Sequence, residues 1–163
     1  MFRSKNKPQP RTPWNKGKLV GQKSPFTKQE IWSIRMRLQT IGNRRDLALF
    51  NLAIDSKLRG CDLVRLRVSD VASAGEILSR ATVRQRKTKR PVRFEITGRT
   101  RKSIEDWIDT AQQTENDYLF PSRVRRSPHL STRQYARIVN DWVRTIGLDP
   151  SAYGTHSLRR TKA

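Results

Sequence analysis

The stretch Glu76–Thr97, EILSRATVRQRKTKRPVRFEIT, places two strand-like runs on either side of a basic turn. In the second run Val92, Phe94 and Ile96 alternate with Arg93 and Glu95. That period of two marks a strand with one face buried. EILSRATVRQ and PVRFEIT, joined by RKTKR, predict an antiparallel hairpin with Lys87 and Lys89 at its tip. The rest of the chain carries helical spacing. The fold class that follows is mainly α with one small antiparallel sheet.

Upstream of the hairpin, Thr27 and Glu30 have the spacing of a capping box, and Phe26 is placed to staple onto Ile31. Ile31, Ile34 and Leu38 mark one face of that helix. Asn43 caps a second helix, with Leu47, Phe50, Ile54 and Leu58 at helical spacing and Gly60 as its stop. CDLVRLRVSDV reads as one short helix followed by a turn. Downstream, Ile104, Trp107 and Ile108 share a helix face, and YLFPS is an apolar corner broken by Pro121. Ser131 and Gln134 form a second capping box, opening a helix through Tyr135, Ile138, Val139, Trp142 and Ile146. Gly147 sits where a left-handed helix stop is expected. A last helix starts near Thr155 and is expected to be cut off, leaving an apolar patch exposed near the end. No internal repeat is visible.

Met1–Lys23 is different in composition. It holds Arg3, Lys5, Lys7, Arg11, Lys16, Lys18 and Lys23, three prolines and no acidic residue. Such a segment buries too little apolar surface to offset its ordering entropy. It reads as a basic arm, disordered when free, ahead of one domain over residues 24–163. Neutralising phosphates would suit it, with Trp14 available to stack or wedge.

The 163 residues carry a formal net charge of +21, with 34% hydrophobic residues and a mean hydropathy of −0.80. This excess of Lys and Arg suits a polyanion, nucleic acid first. No run approaches the roughly 18 apolar residues of a spanning helix, and no signal-peptide core is present, so a membrane partner is not expected. Cys61 is the only cysteine, which excludes an internal disulfide and a cysteine-based zinc site. A cytoplasmic, nucleoid-associated location fits.

Few side chains here can act on a phosphodiester. Guanidinium groups match phosphate oxygens in two-point contacts and stay charged at any working pH. Lysine can donate a proton, and histidine titrates near neutrality. Arg59 falls at the expected end of the second helix, Lys87 and Lys89 at the hairpin tip, and His156 and Arg159 three apart at a helix start, where an anion is favoured. Each has a plainer explanation: a helix-terminal charge, a solvated turn lysine, a capping histidine. Their order along the chain gives them weight together.

That order resembles the tyrosine recombinases, the phage integrase family, from about Ser24 to Ala163. DSKLRGCDLVRLRVSDV is similar to the segment carrying the family's first catalytic arginine, which would be Arg59 with Asp62 supporting it. RQRKTKRPVRFEIT resembles the hairpin bearing the catalytic lysine, Lys87, with Lys89 as the alternative. THSLRRTKA is similar to the His-x-x-Arg box, giving His156 and Arg159. The resemblance implies a tyrosine attacking the scissile phosphate to form a 3′-phosphotyrosyl link. Arg59 and Arg159 would stabilise the developing charge, Lys87 would protonate the leaving 5′-oxygen, and His156 would assist proton movement. No metal or other cofactor is implied, because two arginines supply the positive charge. Double-stranded DNA is the implied partner, bound by an intact parent as a tetramer on two sites.

The family places its nucleophile after the His-x-x-Arg box. Tyr118, Tyr135 and Tyr153 all precede Arg159. The expectation is therefore a recombinase catalytic domain truncated before its tyrosine, binding DNA without cleaving it. A non-catalytic basic DNA-binding protein, regulatory or excisive, is the alternative. An RNA-binding or ribosome-associated protein is permitted by composition but lacks an aromatic-bearing strand motif.

Overall fold

The computed structural model describes residues 21–124 and 127–161. All but the last three residues of the expected basic arm lie outside them. Seven helices and four short strands follow in order: α1 (Lys28–Thr40), α2 (Arg44–Ser56), α3 (Gly60–Leu63), α4 (Val68–Val71), β1 (Ala72–Ser73), β2 (Glu76–Ile77), β3 (Arg80–Arg84), β4 (Pro91–Glu95), α5 (Gly98–Ala111), α6 (Thr132–Thr145) and α7 (Thr155–Arg160).

The local chemistry sets the helix starts. The Thr27 hydroxyl accepts from the Glu30 N–H and the Glu30 carboxylate accepts from the Thr27 N–H, closing the expected box on α1. Asn43 Oδ1 accepts from the Asp46 N–H at 3.1 Å, and Ser131 with Gln134 repeats the box on α6. Gly147, at φ +78, sits just beyond the Ile146 cap of α6.

α2 is the centre of the domain. Ala48, Leu49, Phe50, Leu52, Ala53 and Ile54 are all buried, so apolar side chains surround the helix. It packs against α1, α5, α7 and β4. Its buried polar groups are paired: Asn51 accepts from Arg35 Nε at 2.6 Å and donates to Ser103 Oγ at 3.2 Å. Asp46 Oδ2 accepts from the Trp142 indole N–H at 3.0 Å, tying α2 to α6.

β3 and β4 form the expected antiparallel hairpin, pairing Ala81 with Phe94 and Val83 with Val92. Phe94 and Ile96 are buried while Arg93 and Glu95 are exposed, as the alternation required. The mainly α class holds, with two small sheets rather than one. Glu76 and Ile77 leave the expected long strand and pair with Ser73 and Ala72 in a separate two-residue hairpin. CDLVRLRVSDV likewise divides into two helices, α3 and α4, instead of one helix and a turn.

The chain's end also differs from expectation. α7 stops at Arg160, and Thr161 is buried and extended at ψ 129. Leu158 on α7 is fully buried. The large apolar side chains exposed among the described residues are Trp32, Met36, Ile41 and Val124, none of them on α7.

Candidate functional site

The segment between α2 and α3 carries the first site residue. α2 ends at Ser56, and Lys57 caps it in the left-handed region at φ 53, so the helix stops three residues before the expected Gly60. Leu58 is buried and pins the connection. Arg59 is the extended N-cap of α3, not the end of α2, and Gly60 begins the helix. The glycine is needed for approach: a Cβ there would meet Tyr135 Cδ1 of α6 at 3.2 Å. Arg59 Nη1 is buried without a hydrogen-bond partner. An unmet buried donor costs about 1–3 kcal/mol, and a charged one more, so the position favours an anion.

Asp62, 5% exposed, does not supply that partner through its free oxygen, because Oδ2 is itself buried and unpartnered. Its Oδ1 instead accepts the backbone N–H of Arg86 at 2.9 Å, fastening the hairpin turn to α3. The turn is closed by Gln85 N–H to Arg90 O at 2.9 Å and Lys89 N–H to Gln85 O at 3.0 Å. Lys87 is exposed at the tip. Lys89, at φ 58, borders a cleft of about 330 Å³ with Asp62, Arg65, Asp70, Arg84 and Arg86. Neither Lys87, Arg59, His156 nor Arg159 lines that cleft.

α7 carries the other two. Gly154 is extended, and its N–H donates to Ser157 Oγ at 3.0 Å. Buried Ser157 and Leu158 orient the helix, leaving His156 exposed and Arg159 half-buried. Arg159 Nε donates to the carbonyl of Lys57 at 2.9 Å, across 102 residues of sequence. Its two Nη groups make no hydrogen bond to the described residues. The structure therefore brings Arg159 to the segment holding Arg59, and the hairpin to the adjoining α3 through Asp62. No hydrogen bond among the described residues joins Lys87 or His156 to either arginine. Lys57 was not singled out in the sequence, since nothing in its pattern marks a lysine as a left-handed cap.

The tyrosines are occupied otherwise. Tyr135 is buried, and burial pushes its phenol far above the ordinary value. Tyr118 accepts from Arg67 Nη2 at 3.1 Å and lies under that guanidinium. Tyr153 stacks on Phe26 with ring centroids 5.0 Å apart and donates to Glu30 Oε1 at 3.1 Å. Desolvation, then the Glu30 bond and charge, raise its phenol as well.

The phage integrase family model matches residues 25–163. This chain belongs to the phage integrase family. A probable integrase/recombinase of Bacillus subtilis (strain 168), YoeC, is 34% identical over 119 residues, covering 73% of this chain and 61% of that protein. Among solved structures, the integrase-family chain is similar to XerA recombinase, with a TM-score of 0.69, 20% identity and coverage of 86% of this chain and 48% of that one. XerH site-specific recombinase bound to its difH substrate gives a TM-score of 0.64 at 16% identity, over 88% and 43% of the two chains. A lambda integrase dimer bound to a COC′ core site gives 0.61 at 18%, over 85% and 39%. The mainly α fold with small antiparallel sheets is thus shared with these recombinases. The chain spans about three-fifths of the curated relative it matches and half or less of these solved chains. No described helix is long and apolar enough to cross a membrane.

Proposed function

We propose that this chain is the phosphate-holding part of a DNA strand-exchange recombinase, and that Arg59, Lys87, His156 and Arg159 act on one scissile phosphate of double-stranded DNA. The observation that carries the reading is the bond from Arg159 Nε to the Lys57 carbonyl. It engages Nε and leaves the Nη groups, which make no hydrogen bond to the described residues, for a phosphate. Arg59, two residues from that carbonyl, has a buried Nη1 awaiting an acceptor. Arg159, held on a backbone carbonyl, and Arg59, with its Nη1 buried, would stabilise charge developing on phosphorus with little reorganisation during the reaction. Lys87, on the exposed turn, would protonate the leaving 5′-oxygen once DNA fills the groove. His156 would move the proton at the nucleophile. The intact parent would pass through a 3′-phosphotyrosyl intermediate as a tetramer on two DNA sites, in the cytoplasm beside the nucleoid.

None of the three tyrosines in the 163 residues is proposed as nucleophile. Tyr135 is in the core, Tyr118 packs on Arg67, and Tyr153 is stacked and bonded. A nicked suicide duplex, which traps covalent adducts, should therefore give none with this chain. An adduct abolished by Tyr153→Phe would overturn that assignment. The shared phosphate is tested by a double-mutant cycle on duplex binding with Arg59→Ala and Arg159→Ala. Groups on one phosphate couple, whereas additivity within about 0.5 kcal/mol means separate contacts and an ordinary DNA-binding surface.

A further inference from the structure

Lys57 makes two contacts to α7 in opposite senses. Its carbonyl accepts from Arg159 Nε at 2.9 Å. Its ammonium donates to the carbonyl of Thr161, at the cap of α7 and 104 residues away. The residue also holds φ 53, a left-handed conformation that side chains other than glycine, asparagine and aspartate adopt at a cost. A helix end that needed only a left-handed cap would be served better by glycine.

Thr161 is itself a junction. Its hydroxyl is buried, accepts the Phe26 N–H at 3.0 Å and donates to Ser157 O at 2.7 Å. The carbonyl reached by Lys57 therefore belongs to a residue already fixed to the start of α1 and to α7. α7 has only six residues and packs on α2 and α6. A helix that short has little stability of its own. What locates it is what is attached to it.

We infer that Lys57 is a positioning residue that clamps α7 across the end of α2, setting the reach of Arg159 toward the phosphate beside Arg59. The left-handed turn aims the Lys57 carbonyl at Arg159, while the ammonium holds the far end of α7. The cation also sits at the C-terminal end of that helix, where positive charge is favoured. This role rests on the proposed phosphate site for its purpose, but not for its geometry.

The test separates clamp from cap. Lys57→Gly keeps the carbonyl, removes the backbone strain and deletes the ammonium. If Lys57 only caps α2, the glycine variant melts at the same or a higher temperature and α7 is unchanged. If Lys57 is a clamp, the glycine variant still folds, but amide exchange at Leu158, Arg159 and Thr161 rises at least tenfold relative to α6. Lys57→Arg, which retains a long donor, restores protection. Unchanged α7 exchange in Lys57→Gly would overturn the inference. Duplex binding reads the second link separately. Lys57→Gly should weaken it two- to tenfold and give little further loss in the Arg159→Ala background. Faster α7 exchange with unchanged DNA affinity would keep the clamp and remove the phosphate reading instead.

Discussion

Replacing Asp46 by alanine tests how α2 is held against α6. The Asp46 side chain is 9% exposed. Its Oδ2 accepts the Trp142 indole N–H at 3.0 Å, and its Oδ1 lies 2.9 Å from Arg45 Nε and 2.8 Å from Arg45 Nη2. Alanine strands both donors. Trp142 is 3% exposed, so its N–H finds no water, a loss of about 1–3 kcal/mol. The Arg45 side chain, 15% exposed, is left as a largely buried unpaired cation, and breaking such a pair from one side costs about 3–5 kcal/mol. The two penalties share one carboxylate and do not add in full, so the expected loss is about 3–5 kcal/mol. For a chain of this length that lowers the melting temperature by roughly 6–20 °C. Urea unfolding followed by tryptophan fluorescence reads it, with Asp46→Asn as control because it keeps one acceptor for Trp142. The control should lose clearly less. A loss below about 1 kcal/mol for Asp46→Ala would refute the argument, showing that both donors find other partners or that water enters.

Gly60→Ala should destabilise by about 1 kcal/mol, because crowding the buried Tyr135 ring at 3.2 Å costs about 1–3 kcal/mol against about 0.4–1 kcal/mol gained from a stiffer unfolded chain; a higher melting temperature would mean that the ring yields. Stability should fall above about pH 10, because the raised phenol of Tyr153 keeps its proton in the folded state after the unfolded chain has begun to lose it. Buried Tyr135 adds to the same limb, so Tyr153→Phe should make the fall in urea midpoint shallower without abolishing it, and an unchanged slope would contradict the raised Tyr153 phenol, which desolvation and then the Glu30 contact produce. Removing residues 1–20 deletes six basic side chains and should flatten the plot of log binding constant against log salt by as much as about 5 units, alike for all duplex sequences. A loss confined to one sequence would make the arm a reader of bases.

The helix starts were legible because capping is local chemistry. Thr27 with Glu30, Asn43, and Ser131 with Gln134 each close their bonds within three residues. The end of α2 was not legible for the opposite reason. Glycine is the default left-handed residue, so Gly60 looked like the stop, yet Lys57 takes that conformation under contacts from α7. β1 and β2 are two residues each, too short to show a period. For the proposed site, the residue types and their order pointed to Arg59 and Arg159, but the bond that brings Arg159 to Lys57, two residues before Arg59, spans 102 residues and has no local signal. The hairpin was plain from alternation, while which lysine borders the cleft depends on the turn geometry at Lys89.

The end of α2 acts as a fixed point for the elements that carry the proposed site residues, and their attachments are unequal. Asp55 Oδ2 accepts both the N–H and the hydroxyl of Thr97 at 2.9 Å, fixing the β4–α5 joint. α7 is fixed by Arg159 to Lys57, by Lys57 to Thr161, by Phe26 to Thr161 and by the buried Leu158. Among the described residues the hairpin tip is joined to α3 by one hydrogen bond, from the Arg86 backbone N–H to the Asp62 carboxylate, and Arg86 through Arg90 are all exposed. Segments with few buried contacts open at low free energy, so the tip should exchange its Arg86 amide well before α7 exchanges its own. In the proposed reaction this division matters. Arginines that stabilise developing charge gain most from being held before DNA arrives, since their reorganisation would otherwise add to the barrier. A lysine that delivers a proton to the leaving oxygen gains from moving, because it must enter a groove that is present only when DNA is bound. The chain places Arg159 on the well-fixed α7 and Lys87 on the loosely fixed tip. If the Arg86 amide proves as protected as those of α7, the hairpin is rigid, and Lys87 would have to be in place before DNA binds.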